Sequence, residues 1–156
     1  MTDKPILRIS AERPDTPEAT ALIAELEAYL APMYPAESRH GLSVERLIEA
    51  KVAFFVLRSD GAPAGCGGVQ FFGRKYGELK RIYVRPQFRS RGLSKRIMEH
   101  LESYSREHGI PLLRLETGIH QHEAIGLYER LGYTRIDPFG EYRPDPLSIF
   151  YEKRIR

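Results

Sequence analysis

The stretch "LKRIYVRPQFRSRGLSKRIMEHL", Leu79 to Leu101, carries seven basic residues before its first acid, Glu99: Lys80, Arg81, Arg85, Arg89, Arg91, Lys95 and Arg96. Apolar alternation gives way to Pro86, then to Arg-x-x-Gly, then to a helical period. That order describes a strand running into a helix N-terminus, where four backbone N–H groups lack partners and the helix dipole adds partial positive charge. With Gly92 leaving room for close approach and Arg89 and Arg91 offering charge-assisted hydrogen bonds, the segment fits a phosphate or pyrophosphate. On residue chemistry alone it fits a solvated basic helix face equally well.

Two other phosphate motifs fail on their own spacing. "GVQFFGRK" (Gly68 to Lys75) approaches a P-loop, but Arg74 stands where Lys is needed, Lys75 replaces Ser or Thr, and no helix follows. "GCGG" lacks the spacing of a dinucleotide fingerprint, so both sets are read as turn or bulge glycines. His120, His122 and Glu123 have no further spaced ligand cluster, and no metal is expected. Cys66, between glycines, reads as a small packed residue, since no basic cluster or His adjoins it.

These residues need a scaffold, and the sequence describes one. "PILRISAERP" has strand character. "DTPEATALIAELEAYLAPMY" then places Leu22, Leu26, Tyr29, Leu30 and Met33 at helical spacing behind an Asp15 or Thr16 cap. "GLSVERLIEA" predicts a second short helix capped by Ser43. "VAFFVLR", "AGCGGVQFF" and "GELKRIYV" read as an antiparallel meander, with turns at Asp60-Gly61 and "GRKYG". From Gly92, Leu93, Ile97, Leu101 and Tyr104 recur until Gly109 and Pro111 stop the helix. "LLRLE" is a short buried strand, "QHEAIGLYERLG" a helix closed by Gly132, and "LSIFYEKRI" a final strand. Between the last two lies a proline-rich loop, "IDPFGEYRPDP".

The 156 residues, 42% of them hydrophobic, fit one domain spanning 1–156 with a sizeable core, and no apolar run is long enough to span a membrane. "MTDKPILRIS" has no apolar signal segment and Cys66 can form no internal disulfide, so the expected compartment is cytoplasmic. Twenty-four Lys and Arg against 21 Asp and Glu leave a net charge of +3, too small to argue for nucleic acid by itself, and the 21 acids do not suit the broad basic surface that such a partner calls for, so nucleic acid is not an expected partner. Monomer and homodimer both remain open.

The strand–"RSRGLS"–helix arrangement resembles the GNAT superfamily of acyl-CoA-dependent N-acetyltransferases, whose signature is Arg or Gln, two residues, Gly, one residue, then Gly or Ala. Arg89 and Gly92 match; Ser94 replaces the last small residue, and Ser90 stands where many members have another Gly. The family's last helix often reads Asn-x-x-Ala-x-x-Leu-Tyr-x-x-x-Gly-Phe. Here Gln121, Ala124, Leu127, Tyr128, Gly132 and Tyr133 take those places. The resemblance covers nearly the whole chain. It implies a mixed α/β fold with a twisted, mostly antiparallel sheet, splayed between its fourth and fifth strands and flanked by about four helices. It also implies acetyl-CoA as co-substrate, with Ile82, Tyr83 and Val84 pairing with the pantetheine arm. Arg89, Ser90, Arg91, Gly92, Leu93 and Ser94 would surround the pyrophosphate, with Gln121 and Tyr128 close by.

Acetyl transfer needs a neutral amine, yet an alkyl ammonium resembles Lys, with a pKa of about 10.4. The resemblance implies Glu78, on the strand leading into the motif, as the base, working through a water relay or a raised pKa. The alternative for Glu78 is an ion pair with Lys80 or Arg81. The departing CoA thiolate needs a proton, and the resemblance gives that donation to Tyr128, which helix periodicity alone would place in the core. The resemblance also implies an acceptor pocket built by the first two helices and the loop before the final strand, which here contribute Tyr34, Arg39, His40 and Tyr142. Arg39 there suits a carboxylate, which predicts a small amine acceptor such as an amino acid or related metabolite. A protein N-terminus, an aminoacyl-tRNA acceptor and a non-catalytic acyl-CoA sensor are the rival readings.

Overall fold

The computed structural model describes residues 3–156. Strand β1 (Leu7–Ala11) leads to helix α1 (Pro17–Leu30), whose cap is Thr16: its side chain accepts the Ala19 N–H. Helix α2 (Val44–Glu49) starts at Ser43, which accepts the Arg46 N–H at 3.3 Å. Strands β2 (Ala53–Ser59), β3 (Ala62–Phe72) and β4 (Tyr76–Val84) form the expected antiparallel meander. Helix α3 (Leu93–Glu107), strand β5 (Leu112–Gly118), helix α4 (His122–Arg130) and strands β6 (Thr134–Ile136) and β7 (Ser148–Arg154) complete the chain. The sheet order is β1-β2-β3-β4-β5-β7-β6. Strand β6 is not foreseen in the sequence. Its three residues are too few to show alternation, and pairing with β7 is what makes them a strand.

Both faces of the sheet are covered, which explains the continuous apolar run in β2. Phe54 and Val56 join the core beneath α1 and α2, with Leu22, Leu26 and Leu47. Their neighbours Phe55 and Leu57 point the other way, into a core with Ile97, Met98 and Leu101 of α3. Cys66 of β3 is wholly buried; its thiol donates to the Arg81 carbonyl at 3.3 Å, and burial pushes its pKa up to about 12.

The expected splay is present, and its cause lies in β4. That strand pairs in parallel with β5 at only two positions, Gly77 with Leu113 and Glu78 with Arg114. Just beyond, the β3–β4 register slips between Cys66 and Gly68, and Arg81 takes a left-handed φ of 55°. This bulge sharpens the local twist and turns the rest of β4 away from β5. The Arg81 side chain fixes the turn from the other side. Its guanidinium donates to the Leu42 carbonyl at 3.0 and 3.1 Å and to Glu27 of α1 at 2.9 Å. Gly41 lies close beside it: a Cβ there would stand 2.3 Å from the guanidinium and would push it from these partners.

Candidate active site

Three connected hollows open along the parted edges of β4 and β5. The first, a groove of about 510 Å³, is walled by Ile82, Tyr83 and Val84, by the 89–95 turn, and by the start of α4 from His120 to Ala124. A narrow inner cavity of about 140 Å³ follows, lined by Tyr34, Arg39, His40, Arg81, Glu116, Gln121 and Tyr128. An outer cavity of about 880 Å³ lies beyond, with Arg39, His40, Arg46, Tyr76, Glu78, Lys80 and Tyr142 on its wall. Ile82, Gln121 and Tyr128 belong to both groove and inner cavity, whereas Arg39 and His40 belong to both inner and outer cavities.

The groove suits a phosphate-bearing, extended ligand. Helix α3 has Gly92 as its N-cap and no side-chain cap, which leaves its first-turn N–H groups available to an anion. Gly92 has φ +73° with nothing within 4 Å of where a Cβ would stand, so glycine supplies both the left-handed turn and free approach. Helix α4 also starts without a side-chain cap, at Gln121. Tyr83 and Val84 pair with β3 along one edge, while the edge toward β5 is left open for main-chain hydrogen bonds.

The structure brings nearly all of the sequence-predicted donor-binding residues to this groove: Ile82, Tyr83, Val84, Arg89, Ser90, Gly92, Leu93, Ser94, Gln121 and Tyr128. Arg91 differs: it is exposed, lies outside the groove wall, and turns its guanidinium over the Phe88 ring at 5.6 Å. Arg89 is already engaged, donating to the Val84 carbonyl at 3.2 Å with its guanidinium 5.4 Å from the Tyr29 ring. Ser90 adopts φ +64°, which accounts for a glycine at that position in related motifs. A left-handed non-glycine residue costs about 1–2 kcal/mol, and glycine returns about 0.5–1 kcal/mol of that as unfolded-state entropy. Ser90→Gly is therefore expected to raise the melting temperature by about 1–3 °C in thermal denaturation. A fall would mean that the serine side chain holds the turn.

Tyr128 sits where groove and inner cavity meet and is only 6% exposed. Burial above all, and the nearby charge of Glu116, push its pKa up, so the phenol keeps its proton. Tyr34 spans the entrance: its hydroxyl donates to the Gln121 side-chain carbonyl and accepts the His120 N–H at 2.9 Å. Glu78 is 3% exposed and faces the outer cavity, where it accepts Lys80 Nζ at 2.9 Å and the Tyr142 hydroxyl. The ion pair with Lys80, one of the two readings open in the sequence, is thus formed; Arg81 is paired elsewhere, with Glu27. Burial first, then the charge of Glu78, raises the Tyr142 pKa.

Sequence reasoning missed Glu116, at the far end of β5. Ser148 of β7 donates to its Oε2 at 2.8 Å. Burial above all pushes its carboxyl above the usual range, and the charge of Glu78 adds to this; Ser148, His40 and Lys80 act in the opposite direction. Its one signal was an acid closing the apolar strand "LLRLE". Among the described residues, no group of three or more His, Cys, Asp or Glu side chains could hold a metal. No helix among them is long and apolar enough to cross a membrane.

Residues 19–133 match the model of the acetyltransferase (GNAT) family. An IAA acetyltransferase from Azospirillum brasilense is 40% identical over 152 residues, covering 97% of this chain and 99% of that protein. A crystal structure from Klebsiella pneumoniae, described as an acyl-CoA N-acyltransferase, superposes with a TM-score of 0.83 at 36% identity, covering 97% of this chain and 99% of that one. At 16% identity, the PaiA N-acetyltransferase of Thermoplasma acidophilum, solved with coenzyme A, shares the fold with a TM-score of 0.71, over 96% of this chain and 99% of that one. With the open β4 edge and the uncapped α3 N-terminus already in place, the chain belongs to the GNAT acetyltransferase family and is an acyltransferase whose co-substrate is acetyl-CoA.

Proposed function

We propose that the enzyme acetylates the primary amine of a small metabolite that also carries a carboxylate, in one step and without a covalent enzyme intermediate. One observation carries the acceptor class. Arg39 Nε and His40 Nε2 are both buried, have no hydrogen-bond partner among the described residues, and lie on the wall shared by the two cavities. Asp145 is the anion nearest the His40 ring, at 3.8 Å, which is too long for a hydrogen bond. Arg39 keeps Nη1 on Glu27 at 3.3 Å, which leaves its Nε free, and with the His40 proton on Nε2 both are buried donors whose unmet bonds cost stability, so an acceptor carboxylate that occupies both supplies bonds the fold leaves unmade. A carboxylate held there leaves the amine directed inward, toward Glu116 and Tyr128.

In this reading acetyl-CoA supplies the thioester carbonyl. Tyr83 and Val84 offer main-chain groups to the extended arm, and the α3 N-terminus binds the pyrophosphate. The carboxylates at the β4–β5 parting, with Glu78 the one expected from sequence, accept the amine proton. Tyr128 returns a proton to the departing sulfur. Glu78 and Tyr128 both being present and facing these cavities favours an enzyme over a sensor.

The test is acetyl-CoA-dependent thiol release across amino acids, IAA, polyamines, aminoglycosides and peptides with free N-termini. A carboxylate-bearing amine is expected as best acceptor. Arg39→Ala should raise its KM roughly tenfold or more, the loss of a charge-assisted pair of about 1.5–3 kcal/mol, with acetyl-CoA affinity unchanged. A polycation as best acceptor, or an unmoved KM, overturns this acceptor class.

A further inference from the structure

We propose that the acceptor is an aromatic amino acid or a close relative, an amine and a carboxylate on an arylalkyl frame, and that Phe72 at the end of the β3–β4 hairpin stacks on its ring and sets side-chain specificity. The proposal deepens the reading above and rests on it, with the acceptor carboxylate held at Arg39 and His40.

Room decides where the rest of the acceptor goes. The inner cavity, about 140 Å³, leaves space for little beyond an acetyl group and an attacking amine. Arg39 and His40 stand at its boundary with the outer cavity of about 880 Å³, so a carboxylate held there sends the remaining substituent outward. The floor it meets is the far end of the β3–β4 ladder. Gln70 and Phe72 of β3 pair with Glu78 and Tyr76 of β4, and alternation keeps Tyr76, Glu78 and Lys80 on one face. Helix α2 walls one side at Arg46 and Glu49, and the loop at Glu141 and Tyr142 walls another.

Two properties of this floor favour a ring. One is a row of planar groups. Tyr76 is flanked by Phe72, with ring centroids 4.9 Å apart and planes 12° from parallel, and by the Arg114 guanidinium, 4.6 Å from its centroid and brought by β5 from the other side of β4. Phe139 meets Tyr76 edge-on at 5.8 Å. Tyr76 is thus enclosed, whereas Phe72, 36% exposed on the cavity wall, is the open end of the row. A fourth planar group laid on it gains a stack and covers apolar surface that otherwise meets water.

The other property is charge. Lys80 is bound to Glu78 at 2.9 Å, and Arg46 shares the wall with Glu49 and Glu141, so a charged substituent meets both signs there. Among the described residues, the buried polar side-chain atoms on that wall without a partner are Arg39 Nε and His40 Nε2, which the carboxylate takes. A neutral ring needs no further ionic partner.

The test compares acetyl-CoA-dependent thiol release with glycine, alanine, leucine, lysine, glutamate, phenylalanine, tyrosine and tryptophan as acceptors. Phenethylamine and tryptamine, which lack the carboxylate, complete the set. The best aromatic amino acid is expected to exceed alanine by about 10–100-fold in kcat/KM. Phe72→Ala should lower that value about tenfold while leaving alanine within about twofold and the acetyl-CoA thermal shift unchanged. Phe72→Tyr, which keeps the ring, should restore it. A substitution acting only through the fold would lower both acceptors alike. The chain has no tryptophan, so with CoA bound the fluorescence anisotropy of L-tryptophan reports binding without turnover. Its Kd should rise about tenfold in Phe72→Ala. Alanine, leucine or lysine used as well as the best aromatic acceptor, an equal loss for both classes in Phe72→Ala, or L-tryptophan binding that this substitution leaves unmoved overturns the proposal. Tryptamine or phenethylamine matching its amino acid, with Arg39→Ala inert, overturns the carboxylate reading alone, and the ring contact then stands or falls by the Phe72 comparison on that amine.

Discussion

Tyr128→Phe is expected to lower kcat by roughly 10²–10⁴-fold while leaving the acetyl-CoA thermal shift as it is in the wild type. The substitution removes one oxygen from a side chain packed between groove and inner cavity, with Tyr133 and Tyr151 at 6.0 and 6.3 Å between ring centroids. Phe retains that packing, so stability should hold. The lost function is the proton that burial keeps on the phenol, which a thiolate of Cys-like pKa, about 8.5, needs as it departs. Because a departed thiolate is itself the stable form once pH passes its own pKa of about 8.5, the need for a proton donor fades and the defect should narrow as pH rises. Steady-state kinetics from pH 6 to 9 measures both, and an unchanged kcat would return Tyr128 to a purely packing role.

Gly92→Glu should abolish the stabilisation that acetyl-CoA confers. At 100 times its Kd a ligand adds about 2.7 kcal/mol to the native state, here about 5–10 °C in melting temperature. Glutamate at position 92 places bulk and negative charge in front of the uncapped α3 N-terminus, where the pyrophosphate needs open space and partial positive charge. It also strains a residue held at φ +73°. Gly92→Asn separates the two effects, since Asn tolerates the left-handed region and adds no charge. The Asn variant should keep part of the shift and the Glu variant none. Equal shifts in wild type and Gly92→Glu would rule out this helix end as the anion site.

The α3 and α4 helices, the β2–β4 meander and the Arg89–Gly92 turn were legible in the sequence because each is written locally, as a period, a cap or a turn residue. The parting of β4 and β5 was legible only through resemblance. Its physical cause, a bulge at Arg81 held by Leu42 and Glu27, joins residues 39 and 54 positions apart, and no local pattern announces it. Glu116 escaped for a related reason. Which way an acid at a strand end faces depends on where the neighbouring strand departs, and that is a property of the sheet. Arg89, which lines the groove, and Arg91, which does not, show the converse limit. Their charge was visible, but the aromatic rings of Tyr29 and Phe88 that draw their guanidinium groups aside lie on other elements or become adjacent only through the turn.

The buried Cys66 gives the enzyme a convenient optical silence. Its sulfur is sealed beneath the Arg81 carbonyl and its thiol is held up at about 12, so a chromogenic disulfide added to the folded protein meets no reactive thiolate. Every thiol such a reagent detects during turnover is then a released CoA molecule. The same reagent without acetyl-CoA becomes a clock for global opening, because the chain's single cysteine answers only when the sheet between α1 and α3 comes apart.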